Sequence, residues 1–131
     1  MKRILVVDDE PHMTRVLKLY LERAGYAVDV CLHGQAALAA ILAAAPDVMV
    51  TDIQMPLMTG KQLCQALAEQ YPERTFPIFV MTSKTDREER EWTAAIRGLE
   101  FLEKPLSMRA LVARLDRHFS AAPATVEASS A

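Results

Sequence analysis

The sequence predicts an α/β protein with a doubly wound, five-stranded parallel sheet that carries helices on both faces. Short apolar segments alternate five times with segments of helical periodicity along the 131 residues. A parallel pair of strands requires a crossover connection, and the connecting helices must bury their apolar stripes. The strand candidates ILVV and IFVM are apolar throughout, which is typical of strands that are buried on both faces. A chain of this length can form one such domain around one core.

The first two strand–helix units are predicted before residue 46. RILVV (residues 3–7) is the first strand, and AVDVC (residues 27–31) is the second. The apolar stripe of the first helix consists of Met13, Val16, Leu17, Tyr20, Leu21 and Ala24. This helix ends at Gly25, a residue suited to a C-terminal cap. The apolar face of the second helix consists of Ala37, Leu38, Ile41, Leu42 and Ala45. Pro46 ends it because proline cannot donate a backbone hydrogen bond.

The third and fourth units repeat this order. DVMVT (residues 47–51) is the third strand, and a loop with Pro56 and Gly60 leads into the third helix. The apolar face of that helix consists of Leu63, Leu67 and Tyr71. PIFVMT (residues 77–82) is the fourth strand. The helix that follows it begins at TDRE, where a threonine and a glutamate have the spacing of a capping box.

The fifth unit completes the domain. LEFL (residues 99–102) is the fifth strand, and Ser107 is a good N-cap for the last helix. The apolar face of this helix consists of Leu111, Val112, Leu115 and Phe119. The closing segment SAAPATVEASSA is small and polar without periodicity. We therefore expect one domain over residues 1–119 and a disordered tail or linker over residues 120–131.

Composition excludes several classes of function. The net charge of −2 comes from 15 basic and 17 acidic residues that are scattered along the chain, so we expect no direct nucleic-acid binding. Cys31 and Cys64 form no CxxC pair and suit a reducing cytosol. The apolar stretch at the start is too short for a secretory leader, and AALAAILAAA is too short to span a membrane. These features predict a cytoplasmic protein without a membrane partner.

Polar side chains follow four of the five predicted strands. They are Asp8 and Asp9 after the first, Asp52 after the third, Thr82 and Ser83 after the fourth, and Glu103, Lys104 and Pro105 after the fifth. In an open α/β sheet, ligands bind beyond the carboxyl ends of the strands, near the point where the winding direction switches. Two carboxylates at about 4 Å repel each other by roughly 4 kcal/mol at an effective dielectric constant of 20. One lysine cannot neutralise three acids, so the cluster predicts a hard cation with oxygen ligands, Mg²⁺.

Asp52 is a candidate nucleophile within this cluster. A carboxylate at the sheet edge, beside acids that hold a metal, could accept a phosphoryl group, because such a transfer depends mainly on positioning and charge neutralisation. The simpler alternative is that these acids only cap the following helices.

The motifs ILVVDDE, DIQMPLMTG, VMTS and FLEKPL carry a resemblance to a known family. In their order and spacing, residues 1 to about 119 resemble the receiver domain of two-component response regulators. The resemblance implies a flavodoxin-like sheet of order 2-1-3-4-5 and identifies Asp52 as the phospho-acceptor. It also implies that Asp8, Asp9 and Asp52 bind Mg²⁺ together with the backbone carbonyl of Gln54.

The resemblance assigns further residues to the phosphoryl group. Lys104 matches the lysine that pairs with the phosphoryl oxygens, and Ile53 and Ser83 fall at phosphate-binding positions. The peptide bond between Lys104 and Pro105 matches one that is cis in the family, which is unusual among X-Pro bonds. Ser83 replaces the usual alanine, which narrows access to Asp52.

Thr82 and Phe101 match the switch pair of the family. The Thr82 hydroxyl would donate to a phosphoryl oxygen, and the ring of Phe101, where tyrosine is common, would fill the space that the hydroxyl left. The change would alter the surface formed by the helix after the fourth strand, the fifth strand and the last helix. Gly98 lies one residue nearer to Lys104 than is usual, so the loop before the fifth strand is expected to differ in shape.

The resemblance implies a signalling phosphoacceptor domain rather than an enzyme, one that assists only its own phosphorylation and dephosphorylation. Its partners would be a sensor histidine kinase or a histidine phosphotransfer protein, and an output partner or a linked effector domain. A phosphorylation-dependent homodimer is compatible with this function. The first helix, with Met13, Thr14 and Leu17, is a candidate docking area for the kinase.

Two other functions stay open at this point. One is a degenerate receiver that binds proteins without being phosphorylated. The other is a phosphohydrolase of the haloacid-dehalogenase type, against which the lack of a second aspartate in Asp52-Ile53-Gln54 counts. The three histidines lack the spacing of metal ligands, and Trp92 is in register with core positions of its helix, so none of these is predicted to be a site residue.

Overall fold

The computed structural model describes residues 1–82, 92, 96–104 and 107–130, with residues 121–130 described by their backbone. The described elements are β1 (Arg3–Val7), α1 (Pro11–Arg23), β2 (Ala27–Cys31), α2 (Gly34–Ala43), β3 (Val48–Asp52), α3 (Gly60–Gln70), β4 (Ile78–Thr82), β5 (Leu99–Glu103) and α4 (Met108–Ser130). All four strand pairs are parallel, and the sheet order is β2-β1-β3-β4-β5. The predicted sheet and its order are confirmed.

Each face of the sheet carries its own apolar core, because successive side chains of a strand point to opposite faces. On one face, α2 and α3 pack on strand residues that include Leu5, Val7, Met49, Ile78 and Val80. On the other face, α1 and α4 pack on residues that include Ile4, Val6, Val50, Phe79 and Met81. The prediction of helices on both faces is therefore confirmed. Within the described part of the chain, no helix combines the length and apolar character needed to cross a membrane.

Side chains satisfy the free backbone N–H groups at the starts of three helices. Ser107 Oγ accepts a hydrogen bond from the N–H of Ala110 at 3.2 Å, as predicted for the cap of α4. The Thr59 hydroxyl and the Gln62 side chain form a capping box at the start of α3. His33 Nδ1 accepts from the N–H of residue 36 at 3.2 Å, so this histidine caps α2.

The buried stripe of α1 differs from the predicted one. Its buried residues are Thr14, Leu17 and Leu21, whereas Tyr20 is 46% exposed. Similarly, Leu42 on α2 is 49% exposed. A helix meets a sheet along a narrow line, so apolar residues at the edge of the stripe stay in contact with water.

The last helix extends further than the sequence predicted. The structure continues α4 to Ser130, whereas the sequence predicted its end near residue 119. Alanine recurs in this segment and has the highest helix propensity, so the lack of apolar periodicity does not exclude a helix. The division into a domain of residues 1–119 and a tail or linker of residues 120–131 stays a prediction. The helix predicted between β4 and β5 lies outside the described residues, apart from Trp92 and Ile96.

Candidate functional site

Three carboxylates lie together at the carboxyl ends of β1 and β3. One oxygen from each of Asp8, Asp9 and Asp52 lies within 4.8 Å of the other two. Asp8 and Asp52 are buried, at 2% and 6% exposure, and Asp9 is exposed. The two strands are neighbours in the sheet, with Val7 paired to Thr51, so their ends lie side by side. We call these three residues the acidic rim.

Lys104 brings a positive charge to the acidic rim. Its Nζ lies 3.1 Å from Asp52 Oδ1, and its backbone N–H donates to the carbonyl of Thr82 at 2.7 Å. The second bond fixes the start of the loop after β5 against the end of β4. The Lys104 side chain is 35% exposed, so water screens part of the attraction. Among the described residues, one ammonium therefore lies beside three carboxylates.

The backbone around Asp52 fixes the direction of its side chain. Asp52 Oδ1 accepts a hydrogen bond from the N–H of Ile53 at 2.8 Å. The N–H of Gly60 donates to the carbonyl of Ile53 at 2.8 Å, which ties the start of α3 to the end of β3. A Cβ on Gly60 would lie 2.3 Å from the backbone oxygen of Asp52. Glycine is therefore required here, a role that the sequence analysis missed because it treated Gly60 only as a loop residue.

The position of Asp8 makes its ionisation costly. Burial raises the pKa of this carboxyl, and the negative charge of Asp52 raises it further. The N–H of Glu10, which donates to Asp8 at 3.0 Å, partly offsets this rise. A carboxyl with a raised pKa gains from any nearby cation that favours its charged form. The acidic rim thus has the electrostatics of a cation site.

The Thr82 hydroxyl is buried at the end of β4 and finds no hydrogen-bond partner among the described residues. β4 lies between β3, which ends at Asp52, and β5, which leads to Lys104. An unpaired buried hydroxyl costs about 1–3 kcal/mol. Because β4 is a direct neighbour of β3, a ligand oxygen bound beside Asp52 could satisfy this hydroxyl.

Phe101 is half-buried on β5, opposite Val80 of β4. Its ring packs edge-on against Trp92, with 6.3 Å between the ring centroids. Trp92 is also half-buried and packs on the core under α2 and α3, which agrees with the core role predicted for it.

The other predicted site residues divide into two groups. Ile53 contacts Asp52 as described above, and Gln54 is exposed in the loop two residues beyond Asp52. Ser83 and Pro105 lie outside the described residues. The three carboxylates offer only oxygen ligands, the type of donor that Mg²⁺ prefers. The residues present therefore fit this cation.

Comparison with known proteins identifies relatives of the chain. The family model "Response regulator receiver domain" matches residues 4–116. The chain is 34% identical over 114 residues to the alkaline phosphatase synthesis transcriptional regulatory protein PhoP of Bacillus subtilis, a match that covers 87% of this chain and 47% of PhoP. It is also 34% identical over 113 residues to the transcriptional regulatory protein ResD of the same species, covering 86% and 46%. The chain spans about half the length of these curated relatives.

Solved structures share the fold over nearly the whole chain. The chemotaxis protein CheY4 of Vibrio cholerae has a TM-score of 0.80 and 32% identity, with 89% of this chain and 98% of that one covered. The response regulator TrrA of Thermotoga maritima, crystallised in complex with Mg(2+)-BeF, has a TM-score of 0.77 and 28% identity, with 89% and 98% covered.

Proposed function

Because the chain belongs to the response regulator receiver domain family, we propose that it accepts a phosphoryl group on Asp52 from a histidine of a partner protein. Membership makes the chain a signalling domain of two-component systems. One observation supports Asp52 as the acceptor: its buried carboxylate lies at the end of a strand, close to the Lys104 ammonium and to two further carboxylates. The haloacid-dehalogenase alternative is not retained, since the matched family is a different one.

In the proposed reaction, an oxygen of Asp52 attacks the phosphorus of a phosphohistidine. The O–P bond forms while the N–P bond breaks, and the leaving imidazole keeps the electron pair and takes up a proton. The contacts of Asp52 Oδ1 with the N–H of Ile53 and with Lys104 hold the carboxylate and leave its second oxygen to react. Lys104, the N–H of Ile53 and Ser83 would then bind the phosphoryl oxygens. Positioning and charge neutralisation provide most of the catalysis.

The proposed cofactor is Mg²⁺. Asp8, Asp9, Asp52 and the backbone carbonyl of Gln54 would hold it, and it would supply positive charge to the phosphoryl oxygens. The raised pKa of the buried Asp8 carboxyl and the closeness of the three acids support this assignment. The solved TrrA complex contains Mg²⁺ with a beryllium fluoride group, which supports the same chemistry in a relative.

The proposed switch uses Thr82 and Phe101. The buried hydroxyl of Thr82, which has no partner among the described residues, would donate to a phosphoryl oxygen, and its movement would make space for the Phe101 ring. The aspartyl phosphate adds about −1.5 to −2 charges, and moving a switch from 1:99 to 99:1 requires about 5.5 kcal/mol. Several charge-assisted hydrogen bonds can supply that difference. We also propose that the peptide bond between Lys104 and Pro105 is cis.

We further propose that the phosphoryl donor is a sensor histidine kinase or a histidine phosphotransfer protein. The changed surface would act on an output partner, a linked effector domain or a second phosphorylated copy of the chain. The named relatives are transcriptional regulators of about twice this length, so a linked DNA-binding effector is the output that they suggest. Cytoplasmic localisation is part of this proposal, because the donor acts there.

Intact-mass measurement after incubation with acetyl phosphate and MgCl₂ tests the proposal. The wild-type protein should gain the mass of one phosphoryl group, and Asp52→Asn should gain none. Asp29→Asn is a matched control, since Asp29 is an exposed carboxylate on the edge strand β2, and it should react as the wild type does. A wild type that stays unmodified with acetyl phosphate and with a phosphohistidine donor would leave the degenerate-receiver alternative.

A further inference from the structure

A second charged region lies at the amino ends of β4 and β5, at the opposite end of the sheet from Asp52. Arg74, in the loop between α3 and β4, is 6% exposed. Its guanidinium donates to the backbone carbonyls of Phe76 and Arg97. Arg97, just before β5, donates to the carbonyl of Pro72 at 3.1 Å and to that of Arg74. The two loops are thus joined by reciprocal arginine–carbonyl bonds, which bring two positive charges together.

These two guanidinium groups form no ion pair with a carboxylate within the described ranges, where the ion pairs involve other residues. Burial lowers the pKa of Arg74, and the positive charge of Arg97 lowers it further. A guanidinium has five N–H donors, and the carbonyl contacts use only some of them. A buried charge without an opposite charge is unfavourable. An anion at this point would reduce the repulsion between the two positive charges. It would also accept hydrogen bonds from guanidinium N–H groups that the carbonyls leave free.

A cavity of about 200 Å³ adjoins both arginines. It is lined by Ala68, Tyr71, Pro72, Arg74, Ile96 and Arg97. A groove of about 420 Å³ is lined by Gln65, Ala68, Glu69, Trp92 and Ile96. The two spaces share Ala68 and Ile96, so they are neighbours along α3. We call them together the arginine groove, which is cationic at one end and apolar over Trp92 and Ile96.

We propose that the arginine groove binds a segment of a partner protein in which an acidic residue adjoins an apolar one. The carboxylate would contact the exposed guanidinium of Arg97, since a guanidinium matches the two oxygens of a carboxylate. Its negative charge would also offset the positive charge of the neighbouring, buried Arg74. The apolar side chain would lie over Trp92 and Ile96, a contact that a free inorganic anion could not make. Glu69 at the groove disfavours a second acid there and thereby sets the direction of the segment.

This surface differs from the one used for phosphoryl transfer. Asp52 and Lys104 lie at the carboxyl ends of the strands, whereas the arginine groove begins at the amino ends of β4 and β5. A partner bound in the groove would therefore leave the acidic rim open to a phosphoryl donor. The groove extends to Trp92, whose ring contacts Phe101, so its occupant would also lie beside the proposed switch residue.

NMR titration of the isotopically labelled full chain tests this proposal. The probe is the blocked dipeptide acetyl-Leu-Glu-amide, and its matched control is acetyl-Leu-Gln-amide. We expect saturable shifts of the Trp92 indole and Arg97 Nε signals with the first probe. Binding of the second probe should be about tenfold weaker, because it lacks the charge-assisted bonds. Arg97→Gln should weaken binding of the glutamate probe about tenfold as well.

Arg23→Gln is the matched protein control. Arg23 is exposed in the last turn of α1, which packs on the opposite face of the sheet, so this variant should bind the glutamate probe like the wild type. Arg97 is also exposed, and its variant should fold even if a variant of the buried Arg74 does not. Equal affinity for the two probes, or no saturable shift, would overturn the proposal. Equally tight binding of inorganic phosphate would also overturn it and leave a simple anion site.

Discussion

The acidic rim and the arginine groove lie at opposite ends of one sheet and carry opposite charge. At the rim, three carboxylates lie together and one of them, Asp52, contacts the ammonium of Lys104. At the groove, Arg74 and Arg97 meet backbone carbonyls. The difference lies in what the backbone can offer. A guanidinium only donates hydrogen bonds, so the carbonyls of nearby loops satisfy it in part, whereas an ionised carboxylate only accepts and requires N–H groups or cations.

The comparison indicates how strongly each region depends on a ligand. The N–H groups of Glu10 and Ile53, which donate to Asp8 and Asp52, do not remove the repulsion among three negative charges. The free rim should therefore destabilise the fold, and a bound cation should stabilise it. At the groove, hydrogen bonds from the two arginines already connect the loops, so this region should be stable without a ligand and should bind its ligand weakly. The following predictions test this difference, starting with the largest expected effect.

Gly60→Ala should lower the free energy of unfolding by about 3 kcal/mol. Its Cβ would lie 2.3 Å from the carbonyl oxygen of Asp52, so the backbone beneath the acidic rim must move, and phosphoryl uptake should slow. Gly98→Ala is the control at the groove. There, φ is +71° and the nearest atom to a Cβ is Arg74 Nη1 at 3.6 Å, so only the conformational cost of about 1 kcal/mol applies. Urea unfolding measures the stability of both variants. Equal losses of stability would contradict the inference that Gly60 is the more constrained position.

Asp8→Asn should raise the free energy of unfolding by about 1 kcal/mol at neutral pH without divalent cations. Burial and Asp52 raise the pKa of the Asp8 carboxyl in the folded protein, so its charged form costs stability above that pKa. The cost disappears as the pH falls through the raised pKa, and wild type and variant should then converge. Added MgCl₂ should stabilise the wild type and not the variant.

The control for this prediction is Asp29→Asn, because Asp29 is exposed and pairs with Arg3 at 3.1 Å. It should show no gain in stability, and its response to MgCl₂ should equal that of the wild type. Denaturant unfolding between pH 4 and pH 7 provides the measurement. A gain from Asp8→Asn that persists at the acidic end would contradict the electrostatic explanation.

Thr82→Val should also raise the free energy of unfolding by up to about 1 kcal/mol, because it removes a buried hydroxyl without a partner among the described residues. Thr14→Val is the matched control. The Thr14 hydroxyl is buried too, but it donates to the carbonyl of Pro11 at 2.9 Å, so its loss should destabilise by about the same amount. Thermal unfolding of both variants is the measurement, and shifts of the same sign would contradict this explanation.

The smallest effect on stability is expected at an ion pair in which one carboxylate faces one guanidinium. Arg114 donates two hydrogen bonds of 2.7 Å to Glu100, between α4 and β5. Since the Glu100 side chain is 41% exposed, Glu100→Gln should cost only about 0.5 kcal/mol at neutral pH. The bonds from Arg114 lower the pKa of Glu100. The stabilisation by this ion pair is therefore fully present above the pKa that Glu100 has in the unfolded chain. It is lost as the pH falls through the lower pKa that Glu100 has in the folded protein.

Glu22→Gln gives the corresponding control, because Glu22 and Lys18 lie 4.0 Å apart with both side chains about half exposed. Its effect on urea unfolding at neutral pH should be smaller than that of Glu100→Gln. A loss as large as that of Gly60→Ala at either pair would show that surface charge contributes far more than we infer.

The sequence determined the sheet and the composition of the acidic rim. Five apolar segments with helices between them require parallel pairing, and the carboxyl ends of parallel strands meet at one edge. Asp8, Asp52 and Lys104 directly follow or end such segments, so their proximity could be predicted without knowing any distance. The same logic identified Ser107 as a cap, because that contact is local.

Only the tertiary structure decided which loops contact each other and which polar atoms find hydrogen-bond partners. Arg74 and Arg97 are 23 residues apart in segments without periodicity, so no pattern predicted their reciprocal bonds. Likewise, the Tyr26 hydroxyl donates to Asp116 across 90 residues of chain. Hydrophobic periodicity reports which side of an element is buried. It does not report which loop lies opposite another, or whether a buried hydroxyl finds a partner, because both depend on the packed arrangement of the whole chain.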